Sequence, residues 1–209
     1  MSRKLLLIGG GGHCHSVLDS VLSLKQYDAI GIIDNSDFAC FGISVVGTDD
    51  DIPTLFKQAW TEAIITEGSV GNTNTRRRLF MMVKAIGMVI PPIIDPTAII
   101  GKSVRIDEGV FVGKRTVINS GSIIHECAII NTGAIVEHDC EIGAFSHISP
   151  GVILCGQVNV SHDSHIGAGS TVRQLIRIGD NSLIGLGSVV VKDIPSNVTA
   201  YGNPCRVVV

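Results

Sequence analysis

A histidine and an aspartate stand next to each other at His138 and Asp139, and together they could act as a base. Histidine takes up and releases a proton near neutral pH, and a neighbouring carboxylate can orient its ring and strengthen it as a proton acceptor. Such a pair suits a reaction in which an amine or a hydroxyl loses its proton as it attacks an electrophile. The pair can do this only on a scaffold that fixes both side chains.

The scaffold is predicted by a repeat. Every sixth residue from Ile94 to Val190 is aliphatic, seventeen times without a break. A period of six does not fit the 3.6-residue turn of a helix. It is the signature of a parallel β-helix, in which three short strands form one coil and the coils stack. With eighteen residues per coil, the repeat predicts roughly five coils with an aliphatic interior.

Two other positions of the repeat are also restricted. Four places after each aliphatic residue, eleven of the seventeen residues are small, and one place after it, ten of seventeen are Gly, Asp or Asn. We expect the small residues to fit crowded corners. We expect the Gly, Asp and Asn residues to adopt the corner dihedral angles.

An eighteen-residue coil places residues that are eighteen apart over one another. Gly156 follows His138 by eighteen, so its backbone N–H is the candidate donor to an oxyanion formed beside the histidine. His147 and His165 have the same spacing and are predicted to stack. For His125 and His162 we expect solvated or internally satisfied side chains.

The first ninety residues predict a separate domain. Apolar strands at 3–8, 29–33, 63–66 and 88–90 alternate with helical stretches at 16–24, 51–60 and 75–86. This alternation indicates a small parallel, Rossmann-like α/β domain. Because Pro91 and Pro92 mark the boundary, the predicted domains are 1–90 and 91–209.

A glycine-rich turn follows the first predicted strand. Gly10 and Gly12 precede the first helix, where glycine lets the backbone approach a phosphate and the helix N-terminus favours negative charge. Asp34 and Asn35 end the next strand and could contact a ribose or a base. Cys14 stands where the dinucleotide fingerprint needs its third glycine. The turn therefore fits either a tight connection alone or a nucleotide sugar, rather than NAD.

Composition excludes several classes of partner. The net charge is -3 and the pI is near 6.1, with no basic run beyond residues 76–78, which argues against nucleic acid or an anionic membrane surface. No segment has the length of a membrane span, and no secretory signal is predicted. The six cysteines form no CxxC pair, so we expect reduced thiols and a cytoplasmic location.

Several motifs together carry a family resemblance. They are Gly12-His13, Asp34, Asn131-Thr132, Glu137-His138-Asp139-Cys140, Phe145-Ser146-His147 and Gly202-x-Pro204-x-Arg206. Over its whole length the chain resembles the sugar O-acyltransferases related to sialic acid O-acetyltransferase. It is similar in particular to bacterial UDP-4-amino-sugar N-acetyltransferases of the bacillosamine pathway, which are hexapeptide-repeat proteins with a left-handed β-helix.

The resemblance implies an acetyl-CoA-dependent acetyltransferase that acts on the amino group of a UDP-linked amino sugar in polysaccharide biosynthesis, assembled as a homotrimer without a metal. It implies His138 as the general base and Asp139 as its carboxylate, where the amino-sugar enzymes have Glu. The acetyl-CoA contacts that it implies, between neighbouring subunits, are His147, Ala168 and Leu186. The implied nucleotide contacts are Gly11, Gly12, His13, Asp34 and Asn35, with either Gly68 or Gly71 from a loop longer than the family's.

Three alternatives stay open. The acceptor could be the hydroxyl of sialic acid or of another sugar. A zinc carbonic anhydrase built on the same coils would carry a His-x4-His pair, whereas His138 and His147 are nine apart and His162 and His165 are three apart. A nucleotide-sugar-binding trimer without catalysis would keep the coils and the glycine turn but would not need the His138–Asp139 pair.

Overall fold

The computed structural model describes residues 2–36 and 39–208 and divides the chain into two compact units. The first unit comprises Met1–Gly68 and Asn74–Ile93, and the second comprises Ser69–Thr73 and Ile94–Val209. The short segment 69–73 therefore belongs with the repeat, although the chain on both sides of it belongs with the first unit.

The first unit is a Rossmann-like α/β fold. Its elements are β1 (Lys4–Ile8), α1 (Gly12–Leu24), β2 (Ala29–Ile33), β3 (Ala39–Cys40), β4 (Ile43–Gly47), a 3-10 turn (Asp49–Asp51), α2 (Ile52–Lys57), β5 (Glu62–Ile65) and α3 (Asn74–Ile86). The sheet order is β3-β4-β2-β1-β5, and all pairs are parallel except β3 with β4. The aliphatic run of β1 is buried from residue 5 to residue 8, as expected for a central parallel strand.

Three details of this unit differ from the sequence-based prediction. The β3–β4 hairpin was not predicted. The first helix begins four residues before the predicted start at Ser16. The stretch predicted as a strand at 88–90 forms only an isolated parallel bridge between Val89 and Glu62.

The second unit is a parallel β-helix of two-residue strands. They are β6 (Ile93–Ile94), β7 (Ile99–Ile100), β8 (Arg105–Ile106), β9 (Phe111–Val112), β10 (Val117–Ile118), β11 (Ile123–Ile124), β12 (Ile129–Ile130), β13 (Ile135–Val136), β14 (Glu141–Ile142), β15 (His147–Ile148), β16 (Ile153–Leu154), β17 (Asn159–Val160), β18 (His165–Ile166), β19 (Thr171–Val172), β20 (Arg177–Ile178), β21 (Leu183–Ile184) and β22 (Val189–Val190), followed by the antiparallel pair β23 (Thr199–Gly202) and β24 (Cys205–Val207). The predicted six-residue period thus produces one strand per repeat.

The strands form three sheets, which we call faces. Face 1 contains β7, β10, β13, β16, β19 and β22; face 2 contains β8, β11, β14, β17 and β20; face 3 contains β6, β9, β12, β15, β18, β21, β23 and β24. Within a face each repeat strand pairs in parallel with the strand eighteen residues further on, as Ile135 does with Ile153. The corner segments between faces form the 1–2, 2–3 and 3–1 edges. The interior is a continuous cluster of the repeat's aliphatic residues.

The corners correct one expectation about the repeat. Positive φ angles recur every sixth residue, at positions such as Asp139 (φ 57°), Phe145 (φ 60°) and Gly151 (φ 67°), three places after the aliphatic residue rather than one. The glycines one place after the aliphatic residue instead allow the backbone of the next coil to pack closely against them. A Cβ added at Gly167 would lie 2.5 Å from the backbone nitrogen of Leu186 in the next coil, so the coil spacing excludes a side chain there.

The small corner residues also form hydrogen bonds with the backbone. Ser146 accepts a hydrogen bond from Ser164 N at 3.2 Å and donates to the Ser161 carbonyl at 2.7 Å. Ser164 repeats the pattern with Ser182 N at 3.1 Å. Because these groups are buried, the hydroxyls satisfy backbone groups that would otherwise cost free energy.

Candidate active site

His138 and Asp139 lie on the 1–2 edge, between β13 and β14. His138 Nδ1 is 2.9 Å from Asp139 Oδ2, and the two side chains are 57% and 58% exposed. When Nδ1–H donates a hydrogen bond to the carboxylate, Nε2 carries the lone pair that can accept a proton. Asp139 has a left-handed backbone, and its short side chain does reach the ring nitrogen.

Two glycines make room for this pair. A Cβ added at Gly156 in the following coil would lie 2.5 Å from His138 Nε2 and 2.7 Å from Cε1. A Cβ added at Gly121 in the preceding coil would collide with Asp139 Oδ1. The pair therefore lies between two positions that exclude side chains. Gly121 was not singled out from the sequence, although its spacing of eighteen from Asp139 is a readable signal.

The backbone of Gly156 is held in place by its neighbours. Gln157 N donates to the His138 carbonyl at 2.9 Å, and Leu175 N donates to the Gly156 carbonyl at 3.1 Å. Among the residues that the structure describes, Gly156 N–H donates to no protein acceptor. A fixed backbone donor beside a histidine base is the arrangement that stabilises an oxyanion.

A second histidine–aspartate pair shows why position matters. On the 2–3 edge, His162 Nδ1 is 3.0 Å from Asp163 Oδ2, and the His162 side chain is also 57% exposed. Its Nε2, however, lies 3.2 Å from Asp180 Oδ1, and Asp180 stands eighteen residues after His162, where Gly156 stands for His138. The carboxylate occupies the position that a reacting group would need.

His125 lies on the same 2–3 edge and is also held by carboxylates. Its Nδ1 is 3.2 Å from Asp107 Oδ2 and its Nε2 is 3.0 Å from Glu141 Oε1. Asp107, His125 and Glu126 form a group whose potential ligand atoms lie within 4.8 Å of one another. Asp107 of this group is thus already a hydrogen-bond partner of the His125 ring.

The residues expected to contact acetyl-CoA lie elsewhere on the β-helix. Ala168 and Leu186 occupy successive coils of the 3–1 edge, joined by a 2.9 Å hydrogen bond from Gly187 N to the Ala168 carbonyl, and Leu186 is 81% exposed. His147 lies on face 3, paired in register with His165. Within one chain, face 1 separates Ala168 and Leu186 from His138.

The predicted nucleotide-binding residues gather at the carboxyl ends of β1, β2 and β5. Gly11 caps α1 and Gly12 begins it, and a Cβ at either position would meet no atom within 4 Å. A Cβ added at Gly68 would lie 3.4 Å from His13 Cβ. Gly71 instead packs against Leu183 of the β-helix, at 3.1 Å by the same measure.

Asp34 closes the glycine turn. Its Oδ2 accepts a 2.6 Å hydrogen bond from Gly10 N, and its Oδ1 accepts two from Ser36. The side-chain bond from Ser36, followed by the Gly10 amide, lowers the pKa of this carboxyl. Asn35 beside it is exposed. Gly9 was not singled out from the sequence, although its φ of 106° and its contact with Glu67 leave no room for a side chain.

His13 gives this unit a defined pH dependence. Burial, with the charge of Arg76 acting in the same direction, lowers the pKa of His13 from 6.5 to about 4. The unfolded chain therefore takes up a proton between these values that the folded chain does not. We expect the free energy of unfolding to fall as the pH drops from 6.5 to 4, by up to about 3 kcal/mol from this group.

Urea unfolding of the wild type and of His13→Gln at neutral pH and near pH 4.5 measures this contribution. Other groups titrate equally in both proteins, so the variant should lose less stability over the interval. An identical loss in both proteins would contradict the assignment.

Comparisons with known proteins place the chain in a family. Residues 4–83 match the family of the PglD N-terminal domain. The acetyltransferase domain of PglB from Neisseria gonorrhoeae is 34% identical with a TM-score of 0.93, over 99% of this chain and 100% of that one. PerB from Caulobacter crescentus, solved with CoA and GDP-perosamine, is 35% identical with a TM-score of 0.92, over 99% and 97%. Two structures of that enzyme with a histidine replaced also hold both molecules.

WeeI from Acinetobacter baumannii has the same fold, with a TM-score of 0.89 at 24% identity over 99% of this chain and 100% of that chain. No curated protein matches the sequence. The Rossmann-like unit and the β-helix with its exposed histidine define a sugar-modifying acyltransferase. The chain belongs to the hexapeptide-repeat sugar acetyltransferases that include PglB and PerB. Within the described residues, no helix is long and apolar enough to cross a membrane.

Proposed function

We propose that the protein transfers the acetyl group of acetyl-CoA to the amino group of a nucleotide-linked amino sugar, with His138 as the general base. The observation that carries the proposal is the geometry of the 1–2 edge. His138 Nδ1 is bound to Asp139 at 2.9 Å, Nε2 lies over Gly156, and the Gly156 N–H is close by on a fixed backbone.

Each group has one role in the reaction. The amine nitrogen bonds to the thioester carbonyl carbon, and His138 Nε2 takes the amine proton as this bond forms. The negative charge that develops on the carbonyl oxygen is stabilised by the Gly156 N–H. The carbon–sulfur bond then breaks, and the imidazolium returns its proton to the departing CoA sulfur. Asp139 stabilises the imidazolium without accepting its proton.

The relatives support an amino sugar as acceptor. PerB is described as a perosamine N-acetyltransferase and was solved with GDP-perosamine, which favours nitrogen over the sialic acid hydroxyl. The glycine turn, Asp34 and Gly68 of this chain supply the nucleotide site in the proposal. UDP is the nucleotide that the sequence resemblance implies, and GDP is the second candidate because of PerB.

Release of CoA thiol from acetyl-CoA, measured against UDP- and GDP-linked 4-amino sugars and free sialic acid, tests the proposed function. We expect turnover with one nucleotide-linked amino sugar and none with sialic acid. Turnover with sialic acid alone would replace the N-acetyltransferase proposal with an O-acetyltransferase. Stabilisation by a nucleotide sugar without thiol release from any acceptor would favour the non-catalytic alternative.

We also propose that the protein is a homotrimer in which face 1 forms the interface between copies. Its outward side chains form one register row along the coils: Ile99, Val117, Ile135, Ile153, Thr171 and Val189. None is charged, and Ile99 and Ile153 are 64% and 38% exposed. The matching row on face 2 holds Arg105, Ile123, Glu141, Asn159 and Arg177, of which three are charged and one is apolar. An apolar row of this length on one face fits burial against other copies of the chain.

A ring of three copies would also complete the active site. Face 1 lies between the 1–2 edge, which carries His138, and the 3–1 edge, which carries Ala168 and Leu186. If face 1 of each copy points to the centre of the ring, the 1–2 edge of one copy meets the 3–1 edge of the next. The base and the predicted acetyl-CoA contacts then come together across the subunit boundary.

Ile153→Lys should therefore dissociate the trimer and abolish acetyl transfer, because it places a charge in the middle of the apolar row. Ile123→Lys, at the equivalent position of face 2, is the matched control and should remain trimeric and active. Sedimentation equilibrium gives the mass of each variant. A trimeric Ile153→Lys protein would show that face 1 is not the interface.

Complementation tests the shared site directly. His138→Ala and Leu186→Glu should each be impaired alone, but a co-expressed mixture should recover activity, since a mixed trimer contains a boundary with both wild-type residues. Mixtures that stay as inactive as the separate variants would place both residues in the same subunit's site.

A further inference from the structure

The segment 69–73, which we call the docked loop, follows directly after residues of the predicted nucleotide site. It leaves the carboxyl end of β5 through Glu67 and Gly68, which lie beside Gly9 and His13 in the predicted nucleotide site. It ends where α3 begins at Asn74. The loop itself belongs to the β-helix unit, so its contacts with face 3 decide where it is held.

One contact is made at the end of the docked loop. Thr73 Oγ1 donates a 2.5 Å hydrogen bond to Asp163 Oδ1. Thr73 is 9% exposed, and the Asp163 side chain is 14% exposed. Asp163 is in turn fixed by His162 through its other oxygen. A hydrogen bond from a hydroxyl to a carboxylate is charge-assisted and stronger than one between neutral groups.

A second contact is made at the start of the docked loop. His147 Nδ1 is 3.3 Å from the Ser69 carbonyl oxygen, and His147 Nε2 is 3.2 Å from Asn131 Nδ2. Asn131 Oδ1 already accepts a 2.8 Å bond from Thr132 N, so the Asn131 amide faces His147 as a donor. His147 Nε2 is then the acceptor, and its proton is on Nδ1, directed at the loop.

The ring of His147 is supported from the next coil. His165 lies edge-on to it with ring centroids 4.8 Å apart, and His165 Nε2 is 3.2 Å from Ser149 Oγ. Burial lowers the pKa of His165, against a smaller raising effect from the backbone of Ser69. The two histidine side chains therefore lie side by side on face 3 at the start of the loop.

We infer that Thr73, Asp163 and His147 are positioning residues that hold the docked loop on face 3 and thereby set Gly68 beside His13 for the nucleotide of the acceptor. The inference rests on the proposed function, because the nucleotide site is part of it. It gives His147 a role through the loop, whereas the family resemblance implies a contact with acetyl-CoA.

Thr73→Val tests the inference, since it removes the hydroxyl and keeps the shape. Amide hydrogen exchange of residues 69–73 should become about tenfold faster, because a hydrogen bond to a charged group is lost. The Kd of whichever of UDP and GDP the wild type binds should rise about tenfold by calorimetry, while the Kd of CoA stays the same. Thr61→Val, at an exposed position of the first unit, is the matched control and should change none of these values.

His147→Ala and His147→Gln separate the two roles of the histidine. The alanine variant should free the docked loop and weaken nucleotide binding. Glutamine, which can donate to Ser69 and accept from Asn131, should restore both. A variant set that weakens CoA binding and leaves loop exchange unchanged would overturn the inference in favour of a direct cofactor contact.

Two further outcomes would also overturn it. One is unchanged exchange of the loop in Thr73→Val. The other is faster exchange with nucleotide affinity equal to that of the wild type. Neither outcome contradicts the proposed function. That function would be contradicted by a different result, namely a wild-type protein that binds no nucleotide and releases no thiol.

Discussion

His138→Ala is expected to lower kcat for acetyl transfer by about a thousandfold, the middle of the range for loss of a general base. The side chain is 57% exposed at the surface of the coil and is not part of the aliphatic interior, so the variant should fold and assemble as the wild type does. The KM values should change little, because the base interacts with the transferring proton in the transition state and not with the substrates in the ground state. Steady-state thiol release with the acceptor found in the panel measures the effect.

His162→Ala is a closely matched control for this experiment. Both histidines follow a β-helix strand, precede an aspartate bound at about 3 Å, and are exposed to the same extent. His162 differs in having Asp180 at its Nε2. Its replacement should leave kcat within about threefold of the wild type, because any loosening of Asp163 and of the docked loop would raise the KM of the acceptor rather than lower kcat. Near-normal turnover in His138→Ala would remove this residue from the mechanism.

These two histidine–aspartate pairs show which features of the candidate site can be predicted from the sequence. The dipeptides at 138 and 162 look alike, and no local feature distinguishes the two rings. The residue eighteen places further on does distinguish them, because the coil brings Gly156 over the ring of His138 and Asp180 over the ring of His162. Reading the sequence in eighteen-residue columns would have found this difference, and would also have found Gly121 below Asp139.

The β-helix itself was predictable because its physical constraint repeats. One aliphatic side chain per six residues must enter the interior, so any irregularity would be visible in the sequence, and the strands follow the predicted period without a gap. The confirmed Rossmann-like unit was less regular. In the β3–β4 hairpin, β3 has two residues, and β4 is half-buried at three of its five residues and exposed at the other two. The hairpin therefore lacks the buried apolar run that marked β1.

The docked loop lay outside what local patterns can indicate. Its five residues contain no repeat, and their partners, Asp163 and His147, are ninety and seventy-eight residues away along the chain. Even so, the structure separates the two candidate glycines of this loop. A Cβ at Gly68, just before the loop, would meet His13 of the first unit, and a Cβ at Gly71, within the loop, would meet Leu183 of the second.

The second large effect is expected for Gly156→Ala, which should lower kcat by about a hundredfold, as displacement of a catalytic group by about 1 Å can do. The added Cβ would lie 2.5 Å from His138 Nε2, so the ring must move away from its place over the coil. The backbone of Gly156 does not have a positive φ, so alanine fits it without strain. The effect should therefore appear in kcat and leave the thermal midpoint almost unchanged.

Gly42→Ala provides the opposite case. Gly42 lies in the turn between β3 and β4 of the first unit, has a φ of 78°, and a Cβ there would meet no atom within 4 Å. Alanine should cost about 1 kcal/mol of stability through backbone strain and leave kcat unchanged. Together the two variants separate backbone strain from displacement of the ring.

A double-mutant cycle then decides whether Gly156 acts through His138. If its main role is to leave space for the ring, adding Gly156→Ala to His138→Ala should cause little further loss, because the ring that the methyl group displaces is already gone. If the two losses multiply instead, the methyl group acts on the bound substrates or on the oxyanion donor itself. The stacking of one coil on the next requires the first result, because the atoms that a Cβ at Gly156 would meet first are those of the His138 ring.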